Sequence, residues 1–156
     1  MRLTLSQAAK RIVILFIVLG VAVTAGTVTV SALSSGTSTR TANKLYDYHA
    51  EVGSAFNVFA TETRACAGQI ACLHEADGRM AAALDHFGQQ IDSLAFPETV
   101  VAEAQQLRAD VTGMVALLHQ IEAAPPVEYN RLLPQLQALA TKFDADYAVV
   151  VRALPS

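Results

Sequence analysis

The chain has 156 residues, 53% of them hydrophobic, with 11 basic against 14 acidic residues and a net charge of −3. That length suits one small domain with a short additional segment. The acidic balance is a poor match to nucleic acid, where affinity comes from neutralising phosphates, and 6% aromatics without a single Trp argue against a sugar- or base-stacking platform.

Residues 12–33, IVILFIVLGVAVTAGTVTVSAL, are 22 positions without a charge. As a helix they would span roughly 33 Å, enough for the hydrocarbon core of a bilayer. Arg2, Lys10 and Arg11 precede them, with no acidic residue. The positive-inside rule then predicts a single pass through the plasma membrane, with residues 1–11 cytoplasmic and the rest extracytoplasmic. The competing reading is a cleavable signal peptide, with Val30-Ser31-Ala32 as its small-residue cleavage pattern, which would give a secreted chain. An uncleaved signal-anchor is preferred because the apolar run outlasts the usual h-region of about 7–15 residues.

Residues 34–39, SSGTST, read as a flexible polar tether. Residues 34–156 hold all 14 acidic residues and eight of the basic ones, a formal charge of −6, and no polybasic face for anionic lipid.

Residues 40–156 read as four amphipathic helices. In the first, from about Arg40, Leu45, Val52, Phe59 and Cys66 recur every seven residues, with Tyr48, Phe56 and Thr63 beside them. Gly68 is its stop, since Gly tolerates the left-handed conformation. The second, over 72–94, carries Leu73, Ala76, Met80, Leu84, Phe87, Ile91 and Leu94 in steps of three and four. Pro97 is expected at the first position of the third helix, with Glu98 on its positive end. That helix presents Val100, Ala104, Leu107, Val111, Met114, Leu118 and Ile121. The fourth follows Ala123-Ala124-Pro125-Pro126 and shows Tyr129, Leu132, Leu136, Leu139, Phe143, Tyr147, Val150 and Leu154. Pro134 either starts its regular part after a short turn at 127–133 or kinks it.

Four such stripes, joined by short breaks, can be buried only against one another. The expected fold is all-α: an N-terminal transmembrane helix followed by an antiparallel up-down-up-down four-helix bundle with shallow crossings. The turns after the first and third helices would point away from the membrane. The turn around Pro97 and the C-terminus would return toward it.

Cys66 and Cys72 flank AGQIA at the first hairpin. On an oxidising side of the membrane an even count at a turn reads as a disulfide. The spacing does not suit a redox C-x-x-C. His74 with Asp77, and His119 with Glu122, have the i,i+3 spacing of metal half-sites, yet all four histidines (His49, His74, His86 and His119) read better as solvated or boundary residues. Asp47 with Glu51, and Asp144 with Asp146, read as solvated helix faces rather than an acid–base pair. Met80 and Met114 are core filler. No Glu-x-x-His pair, H-E-x-x-H, G-x-S-x-G, P-loop or dinucleotide fingerprint occurs, so neither a cofactor nor a catalytic role is expected.

A membrane segment followed by a bundle resembles, in topology, the extracytoplasmic four-helix sensor domains of chemoreceptors and histidine kinases. Cys66-AGQIA-Cys72, the break at Pro97 and Phe143-x3-Tyr147 resemble, across residues 45–154, a group of small exported bacterial helical proteins with a Cys pair at the first hairpin. That resemblance implies export and a helical bundle without a particular activity. The expected function is a membrane-anchored interaction or accessory bundle of the bacterial cell envelope, meeting an envelope protein partner and no nucleic acid. The alternative is a stand-alone small-molecule or metal-binding sensor with a pocket lined by Tyr48, Phe56, Phe87, Phe143 and Tyr147.

Overall fold

A computed structural model of the chain describes residues 36–154, with side chains from residue 39 onward. These residues form four helices: α1 (Gly36–Ala65), α2 (Ile70–Asp92), α3 (Val101–Glu122) and α4 (Pro126–Ala153). The apolar segment 12–33 and residues 1–11, expected to be cytoplasmic, lie outside the described residues. Among the described residues no helix is long and apolar enough to cross a membrane.

Each helix ends for a local reason. After α1, Ala67 (φ 49°) and Gly68 (φ 81°) both turn left-handed, which ends the right-handed helix, and the Gln69 N–H donates back to the Cys66 carbonyl at 2.9 Å. Gly takes that conformation freely; Ala takes it at a cost. The Cys66–Cys72 disulfide closes the turn, with Cα atoms 5.4 Å apart. After α2, Ser93 caps the last carbonyls and Leu94 N–H donates to Ile91. Pro125 is extended and Pro126 opens α4, where a missing N–H costs nothing.

Three boundaries differ from the sequence expectation. α1 begins at Gly36, so residues 36–39 are helix rather than tether. Pro97 does not open α3: Val100 N–H donates to the Pro97 carbonyl in a single turn, Val100 is non-helical (φ −122°, ψ −6°), and regular helix starts at Val101. The carboxylate at the positive end of α3 is therefore Glu103, not Glu98. Pro134 does not start a helix either. α4 runs through it from Pro126, with Pro134 on the exposed side, where water can bond the carbonyl it leaves free.

The topology follows from the side-chain pairs. Arg79 bonds Glu62 and Gln90 bonds Glu51, so eleven residues forward on α2 is eleven back on α1. Glu122 lies on Gly78 and Arg108 on Gly88, which makes α2 and α3 antiparallel. Lys142 meets Asp110 and Leu139 meets Gly113, which does the same for α3 and α4. His74 packs near Tyr129 and Phe87 on Phe143, so α2 and α4 run parallel. The result is an up-down-up-down four-helix bundle. One apolar core runs its length, and all seven residues of the predicted α3 stripe are buried in it.

Candidate functional site

At the end of the bundle where α1 begins, the aromatic residues of the predicted pocket come together in part. Phe87 and Phe143 are buried and meet edge to face at 5.7 Å, a favoured aromatic geometry. Tyr147 stacks on His49 at 3.7 Å, with Tyr46 edge-on at 6.5 Å and Phe143 5.9 Å from the same imidazole. Tyr48 and Phe56 are half-buried against the core. The five thus pack as core and as its border. The two surface grooves described below involve none of them.

His49, with Tyr46, closes α1 onto α4 here. Burial lowers its pKa, which keeps the imidazole neutral near pH 7 and suits a ring stacked on Tyr147. The Tyr147 hydroxyl is buried without a hydrogen-bond partner among the described residues, and burial raises its pKa.

The opposite end holds a group that the sequence reading named only as a neighbour of His74. Asp77 on α2 is fully buried; neither carboxyl oxygen makes a close hydrogen bond among the described residues, and the Tyr129 hydroxyl is a donor facing them. Burial pushes the Asp77 pKa up to about 7; the Tyr129 hydroxyl on α4 opposes the shift and the Glu122 carboxylate on α3 adds to it. A carboxyl that titrates near neutrality has the proton affinity of an acid–base group. With no exposed surface, however, it can exchange a proton and nothing larger unless the helices part. Glu122 reaches this level because residue 78 is Gly: a Cβ there would lie 2.9 Å from Glu122 Oε1.

The histidine half-sites resolve differently. His74 turns from Asp77 and donates from Nε2 to the Ala124 carbonyl at 3.1 Å, tying α2 to the α3–α4 turn. His119 Nδ1 does meet Glu122 Oε2, at 3.2 Å, on the surface. Among the described residues no three His, Cys, Asp or Glu side chains come together as metal ligands.

The acidic pairs also separate. Glu51 accepts from Gln90, and Asp146 pairs at 2.8 Å with Lys142, which also binds the buried Asp110. Asp110 was not singled out by the sequence reading. It is one residue off the stripe, between Leu107 and Val111.

Among the described residues, shallow grooves include two beside α2. One, about 430 Å³, lies between the end of α2, the following turn and the start of α3, and includes Leu94, Phe96, Val101 and Arg108. The other, about 310 Å³, lies between α1 and α2 over Val58, Phe59 and Met80.

Comparison with protein-family models, with curated proteins and with solved structures finds no match to this chain.

Proposed function

We propose that the chain is a membrane-anchored helical bundle held outside the plasma membrane, where it acts as a non-catalytic interaction or accessory module of a bacterial cell envelope. The observation that carries this reading is the pairing of an uncharged apolar segment at 12–33, preceded by Arg2, Lys10 and Arg11, with a disulfide-stapled four-helix bundle. A disulfide fits the oxidising side of a membrane. The aromatic layers support an interaction role over ligand capture, because Phe87, Phe143 and Tyr147 fill the space between helices with each other and with His49. A partner would then be met by the outer helix faces and by the distal turns at Cys66–Cys72 and 123–127, where Val127 is 85% exposed.

Fractionation of intact cells tests this. The expected result is a chain that stays with membranes through an alkaline wash, keeps residues 12–33 at its recovered N-terminus, is degraded by protease added outside the plasma membrane, and crosslinks to a defined envelope protein. A soluble mature chain beginning near residue 33 would replace the anchored reading with a secreted bundle.

A further inference from the structure

We propose that the turn between α2 and α3, with Leu94, Phe96 and Val101, rests in the interfacial layer of the membrane that holds the N-terminal segment. This rests on the anchored reading above. Thr41 Oγ1 donates to the Ala95 carbonyl at 2.9 Å, so the turn is level with the second turn of α1, about 8 Å along the axis from Gly36. Only residues 34–35 separate Gly36 from the apolar segment, a reach of about 10 Å at full extension and less in any other conformation. The headgroup layer itself is roughly 5–8 Å deep on each side of the hydrocarbon. The anchor's short connection therefore keeps the turn within about 18 Å of the hydrocarbon, near enough for this edge of the bundle to lean onto the headgroups.

What the turn offers there is apolar. Leu94 and Phe96 are half-buried and Val101 is 37% exposed, and together they border the larger surface groove. An aromatic ring with adjoining aliphatic groups suits the interfacial region. The charge at this end does not oppose the contact. Arg40 and Lys44 on α1 are exposed, and among the described residues neither has an ion-pair partner. The His49–Tyr147 stack sets the register of α1 against α4 and brings exposed Arg152 level with Lys44. These three cations can meet lipid phosphates. Asp92 is neutralised by Arg108 at 3.0 Å; Asp47, Glu98 and Glu103 oppose them, so this end is balanced in charge.

The chain contains no Trp, so single Trp substitutions report without background. The full chain is reconstituted in phosphatidylcholine vesicles whose acyl chains are brominated next to the glycerol, and retention through an alkaline wash is scored on the same sample. The reporters are Phe96→Trp and, at a more exposed position, Val101→Trp; Val127→Trp at the far end is the control. Loss of fluorescence at 96 and 101, with none at 127, is the expected result. Retained chain with no quenching at 96 or 101, or with equal quenching at all three positions, overturns the membrane contact and leaves the anchored reading standing. Release of the chain by the alkaline wash overturns the anchored reading, and the contact with it.

Discussion

Asp77 carries an ionisable carboxyl into the core, where among the described residues neither oxygen makes a close hydrogen bond and the Tyr129 hydroxyl faces it. Its pKa in the fold is about 7, against an ordinary value of 3.8. The folded state therefore holds this proton more tightly than the unfolded chain does. The cost is absent below about pH 4, grows as the pH rises through the unfolded value, and is complete above about pH 7. A difference of that size corresponds to an upper bound on the order of 4 kcal/mol. His49 acts with the opposite sign. Burial lowers its pKa below 6.5, so its contribution is full above that value and is lost as the pH falls through the folded-state pKa. Asp77→Asn isolates the first effect, since it keeps the volume and removes the ionisation. Urea unfolding from pH 4 to 8 should show the variant gaining on the parent as the pH rises, with the difference levelling off above pH 7. A constant difference across that range would mean that Asp77 keeps an ordinary pKa. The sequence named this residue beside His74 but not its burial, for a specific reason. The series 73-77-80-84-87-91 steps 4-3-4-3-4 without a break and runs through Asp77, but the apolar reading took Ala76 in its place. Helix α2 touches α1, α3 and, diagonally, α4. It therefore buries both Ala76 and Asp77, together with Ala81 and Gly88, a wider arc than a two-position stripe.

At the scale of the helix, the stripes were legible because every helix has apolar neighbours on more than one side, and 3–4 spacing survives such packing. The ends were less legible, because they depend on a few backbone hydrogen bonds. Pro97 and Pro134 show the difference. Both are compatible with starting a helix, yet Pro97 sits in the turn before α3, and α4 had already begun at Pro126. Pro134 remains inside a helix, exposed and without an N–H to give. An interior Pro costs about 3 kcal/mol relative to Ala in a regular helix. Pro134→Ala should therefore raise the unfolding free energy by about 1–3 kcal/mol in denaturant melts, and an unchanged midpoint would mean that the helix had already adapted to the ring. The α1–α2 turn gives the second test at this scale. Ala67 is left-handed at φ 49°, which costs an L-residue about 1–2 kcal/mol, and Gly avoids most of that penalty. Ala67→Gly should stabilise the bundle by about 0.5–1 kcal/mol, since the more flexible unfolded chain takes back part of the gain. The same turn is closed by Cys66 and Cys72. Thiol labelling should find no free Cys before reduction, and reduction should cost about 2–3 kcal/mol in the loop-entropy model.

Across the whole molecule the two ends are built differently. The end where α1 begins is closed by stacked rings (Phe87, Phe143, Tyr147 and His49) and by the Thr41–Ala95 hydrogen bond. The far end is held by the disulfide and by the His74–Ala124 hydrogen bond, and it contains the buried Asp77 beside Tyr129 and Glu122. Deprotonation of Asp77 should therefore act on one end before it acts on the whole. Relaxing the far end hydrates the carboxylate and leaves the aromatic end packed, whereas global unfolding sacrifices both. Native-state hydrogen exchange separates the two routes, because local opening has its own free energy. Between pH 5 and pH 8, after correction for the intrinsic rate, amides of 73–78, 118–122 and 129–133 should lose protection by up to about a hundredfold, within what the rise of the Asp77 pKa from 3.8 to about 7 can supply. Amides of 84–91 and 143–150 should change far less, and Asp77→Asn should abolish the difference between the ends. Equal loss at both ends would show that the bundle opens only as a unit. In that case the buried carboxyl sets overall stability rather than loosening the end that carries the disulfide.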